Sequence, residues 1–401
     1  MDWSEQVVGK PEAGWLFQQS ASIFDSGARP QKITTELKNT KKGWEKKKMF
    51  GMQKAKSIIV LTVAIIWVAA NLQAQVPTAQ PPKAAGNLVS DSPKFVEDWS
   101  SPSLKGSSLV AFPPLVGQVD EFKDYSFEIT RVQWRPGDPI DLFIMKPAGV
   151  KRPPVILYLY SYPFDNDRYG KDDFRRFLTK NGFAAVGFVS ALTGNRYRSG
   201  RPMKEWFVSQ LRESLATSAH DVQMLLNYLA ERGDFDMDHV GMFGEGSGAS
   251  IAILAAASDS RIKTLDLLNP WCDWPDWMAK STLIPENERP GFLKPEFLSL
   301  IAPLDPVKWL PELKTQKVRL QEVKSVTVTP SESRQKIEAA APANVAIVRY
   351  DDTKAFKGMV ATGTVFDWMK RQMQGGTTQN YRASGQAQAK DSSEPERQSQ
   401  R

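Results

Sequence analysis

Between Val240 and Ala257 a short apolar segment runs into three glycines, Gly244, Gly246 and Gly248, which alternate with Glu245 and Ser247. The small-residue run Ser250–Ala257 follows directly. Glycines at this spacing suit a sharp strand-to-helix turn, where the backbone takes angles closed to other residues and the next helix lies close to its sheet. This stretch therefore predicts a strand ending at the turn and a buried helix leaving it. It constrains the fold of the chain more than any other.

The residues around it repeat the same alternation. Tyr125–Trp134, Ile140–Lys146, Val155–Tyr160, Phe183–Val189, Lys263–Leu268, Val318–Val323 and Val345–Tyr350 read as strands, by alternation or by continuous apolar character. Asp172–Asn181, Leu211–Glu231, Ser331–Ala340 and Met359–Met373 read as helices. Strands alternating with helices imply right-handed crossovers and a mostly parallel sheet covered on both faces. The elbow stretch resembles the nucleophile elbow of the α/β-hydrolase superfamily, Gly-x-Ser-x-Gly, and the order of elements over residues 115–373 is similar to its eight-stranded core. The resemblance is to its esterases, dienelactone hydrolases and prolyl-oligopeptidase-like members. It implies an α/β-hydrolase fold with a mostly parallel eight-stranded sheet, helices on both faces and a cap insertion at 269–316.

The resemblance also implies a serine nucleophile at the elbow, an acid after the seventh strand and a histidine after the eighth. Aligned on Gly244 and Gly248, the nucleophile position holds Gly246, and Ser247 comes one residue late. Ser247 is the only candidate nucleophile, and Gly244, Glu245, Gly246, Ser247 and Gly248 read as a vestigial elbow. The acid position before Pro330 falls on Val326, and the nearest carboxylate, Glu322, lies within a strand. Asp273 or Asp276, after the sixth strand, are alternative acids. Beyond the eighth strand the chain reads Asp351–Gly358 without a histidine, and its two histidines, His220 and His239, both precede the elbow. Tyr160 and Ser161 stand where backbone donors of an oxyanion hole belong. Trp271, Asp273 and Trp274 open the insertion, where the tryptophans serve either as a cap over a pocket or as core packing.

Composition excludes other classes. The net charge is +7, yet residues 1–56 hold 11 Lys/Arg against 6 Asp/Glu and the remainder is nearly balanced at 41 against 39. With no basic stripe and no recognition motif, nucleic acid is not an expected partner. The single cysteine, Cys272, forbids an intrachain disulfide, and two distant histidines with one cysteine make no metal-ligand cluster. No cofactor is expected.

Upstream, Lys54 and Lys56 precede the 14-residue apolar run Ser57–Ala70, and Ala74-Gln75 follow. Residues 49–74 match the regions of a secretory signal peptide, leaving 1–48 as a non-native or cytoplasmic extension. The alternative is an uncleaved anchor through residues 57–70. Lysines before the run send the rest out of the cytoplasm in either case. Residues 75–114 read as a linker and 374–401 as a disordered tail. Three functions remain open at this point. One is an exported, catalytically inactive hydrolase-fold protein with a pocket for a small molecule or a protein. The others are a serine esterase or peptidase using Ser247, and a membrane-anchored interaction protein.

Overall fold

The computed structural model describes residues 96–161, 167–192, 196, 210–313, 316–363 and 366–374. The expected extension, signal segment and tail lie outside these residues, as does all of the linker before residue 96.

Three antiparallel strands, β1 (Leu115–Glu121), β2 (Tyr125–Arg135) and β3 (Asp138–Pro147), lead into the crossover part. Then come β4 (Pro154–Leu159), α1 (Asp172–Thr179), β5 (Ala184–Gly187) and α2 (Leu211–Arg232). They are followed by β6 (Asp236–Glu245), α3 (Ser247–Ser258) and β7 (Ile262–Leu268). The insertion contributes α4 (Trp274–Lys280) and α5 (Pro295–Ile301), with shorter turns between. The chain closes with β8 (Lys317–Val323), α6 (Ser331–Ala340), β9 (Ala346–Tyr350), α7 (Thr353–Ala361) and α8 (Asp367–Met373). The strand order is β1-β2-β3-β5-β4-β6-β7-β8-β9, parallel from β5 through β9.

The sheet thus has nine strands among the described residues, not eight. The added strand is β1, whose side chains are nearly all exposed. It lacks the half-buried alternation that marks a strand in a sequence, because it is held by backbone pairing to β2 alone. The helix expected over Met359–Met373 is two helices, broken after Ala361, with Gly363 at φ +76°. That angle favours glycine and ends a helix rather than continuing one.

The core explains the central elements. In β4 only Pro154 keeps appreciable exposure, as a strand covered on both faces must. Helix α3 buries almost its whole circumference, and its small residues allow that. A Cβ on Gly248 would overlap the Leu159 carbonyl oxygen, so this helix packs on the end of β4 only because Gly248 has none.

The segment before β1 is also fixed to the domain from Val96 onward. Glu97 accepts from Arg135 Nε and Nη2, each at 2.6 Å, and faces His220 Nδ1 at 2.6 Å. Arg135 also pairs with Asp221, and Arg196 with Asp221 and Asp138, all of them buried. Leu104 N donates to Gln223 Oε1 at 3.1 Å. The part of the 75–114 stretch that is described is a strap laid across α2.

Candidate functional site

Gly246 is the single residue between β6 and α3, at φ +55°, ψ −117°. Such angles are costly for any residue with a side chain. Its N–H donates to Leu268 O at 2.8 Å. Its carbonyl accepts from the N–H of Ala249 at 3.1 Å, Ser250 at 3.2 Å and Trp271 at 3.3 Å. Ser250 Oγ donates to the Trp271 carbonyl at 2.6 Å, so Trp271 is tied down beside the apex. A Cβ on Gly246 would overlap Ser161 Oγ and come within 2.8 Å of Ser161 Cβ and 3.0 Å of Trp271 Nε1. The space for a side chain at the apex is filled from the end of β4 and from the start of the insertion.

Among the described residues, the apex borders a cavity of about 10 Å³, lined by Ser161, Glu245, Gly246, Asn269, Trp271, Val326, Val328 and Thr329. That is room for about one water. Ser247 is fully buried as the first residue of α3 and is not among the lining residues. Glu245 is buried, and this burial pushes its pKa up to about 7 against the pull of the Arg168 guanidinium. Its Oε2 has no hydrogen-bond partner among the described residues. Arg168 lies over the Tyr160 ring, 3.7 Å from its centroid. Tyr160 itself packs among Tyr158, Tyr169, Phe174 and Phe243. A far larger groove, about 530 Å³, lies along α1 and the exit of β3, and no elbow residue lines it.

No protein-family model and no curated protein matches the sequence. Among solved structures, the chain is similar to acetyl xylan esterase 1 from a Thermoanaerobacterium species. The identity is 13% and the TM-score 0.51, over 65% of this chain and 89% of that one. An acetyl xylan esterase from Paenibacillus sp. R4 matches at 16% identity and TM-score 0.48, over 66% and 90% of the two chains. A puromycin-hydrolyzing peptidase of Mycobacterium tuberculosis matches at 13% and 0.47, over 65% and 47%. The chain has the α/β-hydrolase fold.

Within an α/β-hydrolase fold the expected triad positions can be visited in turn. The apex carries Gly246. The acid position carries Val326, buried and lining the small cavity. Glu322 sits inside β8. Its burial and the neighbouring Glu338 carboxyl push its pKa up to about 8. Asp273 and Asp276 both pair with Lys336 Nζ, at 2.8 and 2.9 Å. After β9, Asp351 pairs with Lys324 at 2.7 Å and Asp352 caps α7 by accepting from Ala355 N at 2.8 Å. His220 is enclosed between Glu97 and the Ser101 carbonyl, and His239 bonds Asp236 at the start of the elbow strand β6, the end away from Gly246. No imidazole is brought to the elbow.

The remaining candidates divide. Ser161 and Trp271 line the cavity, whereas Tyr160, Asp273 and Trp274 do not. Tyr162 and Pro163, which follow Ser161 in the chain, lie outside the described residues. Trp271, Trp274 and Trp277 are fully buried, with Trp271 stacked on Trp277 and Trp274 edge-on to it, so they pack as core, Trp271 also lining the small cavity. Sequence reasoning did not foresee Ser161 as the group that fills the apex, nor the Arg168–Tyr160 stack. Both are contacts between distant segments, and neither leaves a local signal.

Proposed function

We propose that this is an exported α/β-hydrolase-fold protein without hydrolytic activity, which acts by binding a partner. The observation that carries the reading is the overlap at the apex, where Ser161 occupies the space that a nucleophile's side chain needs. Val326 at the acid position and the absence of an imidazole near the elbow support it further. Members of a triad act as a unit, so supplying one alone restores nothing. The cavity at the elbow is, among the described residues, far below the several hundred Å³ of an ordinary ligand site, which favours a partner bound elsewhere on the molecule.

Fluorophosphonate labelling of the full chain tests the reading without knowledge of a substrate. No labelling and no serine-dependent ester hydrolysis are expected, for the native chain and for Gly246→Ser alike. Stoichiometric labelling at Ser247, lost in Ser247→Ala, would overturn the proposal in favour of an esterase. Export is a separate part of the reading and rests on Lys54, Lys56, the run Ser57–Ala70 and Ala74-Gln75. N-terminal sequencing of the protein from its host is expected to find a start close to Gln75. A chain retaining Met1 and the apolar run would make it an anchored interaction protein instead.

A further inference from the structure

Strand β1 lies at one end of the sheet and has a neighbour on one side only among the described residues. Its other side carries a row of backbone groups open to pairing. Six of the ten large apolar side chains that stand exposed among the described residues cluster here: Val110, Phe112, Leu115, Val116, Val119 and Phe122. Soluble monomers seldom gather exposed apolar residues on an unpaired edge, because such edges associate.

We propose that β1 is a self-association edge, through which two copies of this chain join their sheets antiparallel about a two-fold axis at Val119. Edge pairing between identical chains must be isologous, so residues equidistant from the axis have to suit one another. The register of β1 with β2 is regular from Gln118 to Glu121, with Gly117 as an extra residue between Val116 and Gln118. An axis at Val119 uses the regular part. Val119 meets Val119 of the second copy, and each Gln118 amide faces the Asp120 carboxylate of the other. Glu121 then falls opposite the Val116–Gly117 bulge, so no acidic side chain faces another. The single chain already shows the amide–carboxylate match, since Gln118 Nε2 donates to Asp120 Oδ2 at 2.5 Å along the strand. An edge of one charge would repel its own copy, whereas this edge is complementary to itself.

Sedimentation velocity on the full chain gives the first reading, with a concentration-dependent dimer expected. Val119→Lys sets two ammonium groups face to face across the axis and is expected to weaken the dimer on the order of tenfold. Its melting temperature should match that of the dilute native chain, because Val119 is exposed and is not part of the core. Val119→Cys supplies the sharper test. Directly opposed antiparallel residues have Cα atoms roughly 4.5–5.5 Å apart, within reach of a disulfide. Mild oxidation should give a covalent dimer from Val119→Cys but not from Leu293→Cys, an exposed site elsewhere, nor from the native chain, whose one thiol is buried. A chain that stays monomeric at all concentrations overturns the proposal. So does a dimer that survives Val119→Lys and does not cross-link through position 119.

Discussion

A serine at position 246 would have to displace Ser161 before it could do any chemistry, and its backbone would already be strained. The two costs are separable. The left-handed angle costs any side chain about 1–3 kcal/mol, whatever surrounds it. The overlap with Ser161 Oγ and Cβ is a packing cost that vanishes if Ser161 loses its side chain. Gly246→Ala is therefore expected to destabilise the protein by more than the angle alone, and Ser161→Gly to recover part of that loss. The coupling between them, measured by chemical denaturation of the four proteins of the cycle, should be about 0.5–3 kcal/mol. Additive effects would mean that Ser161 moves aside freely and that the apex is less filled than its geometry indicates. The need for glycine at 246 is visible in the sequence, because a turn between strand and helix demands it. The identity of the residue that fills its side-chain space is not, because Ser161 arrives from another strand.

The strap from Val96 is held by buried charge as well as by apolar contact, since Trp99, Leu104 and Leu109 pack against the core. The Glu97 side chain is 1% exposed and its partners Arg135 and His220 are no more than 3% exposed. Burial alone would raise the Glu97 pKa, but hydrogen bonds from His220 and Arg135 outweigh it and hold the group at about 2. Removing one partner of such a network leaves buried charge uncompensated, at a cost of about 3–5 kcal/mol. Glu97→Ala should lower stability by that order at pH 7. The native contribution is present above the ordinary glutamate value of 4.5 and is lost as pH falls from there toward 2, so the variant should show a weaker acid limb in thermal melts. An unchanged acid limb would show that the strap is not held by this carboxylate. The sequence alone suggested a linker here, since Glu97 and His220 stand 123 positions apart and only the fold makes them neighbours. β1 escaped notice for a related reason. A strand paired by backbone at a solvent edge has no buried face, hence no period to read.

At the scale of the whole molecule, the strand and helix pattern was legible because burial on a parallel sheet writes itself into runs such as Val155–Tyr160. The residue types at the expected triad positions, Gly246 and Val326, were legible too, because they depend on fixed places in chain order. How Ser161 and Trp271 fill the space beside Gly246 was not, and the burial there has a thermodynamic consequence. Glu245 remains at the elbow, with its side chain buried and one oxygen unpartnered among the described residues. Its pKa of about 7 in the folded protein lies above the unfolded value of 4.5. Below pH 4.5 the group is protonated in both states and costs nothing. Between 4.5 and 7 the unfolded chain ionises while the folded one keeps its proton, so stability falls as pH rises through this window and levels off above it. Each unit of difference corresponds to about 1.4 kcal/mol, which puts the loss on the order of 3 kcal/mol by pH 8. Glu322, raised to about 8 by burial and Glu338, acts in the same direction over a slightly wider range. Glu245→Gln keeps the shape but removes the titration. It is expected to leave the melting temperature near that of the native chain at pH 4.5 and to raise it clearly at pH 8, with the slope that remains belonging to Glu322. A catalytic carboxylate would behave oppositely in function, since its neutralisation would abolish turnover; a gain in stability is the expected result here. Equal pH profiles for native and Glu245→Gln proteins would show that the elbow carboxyl is solvated, and that the site is open after all.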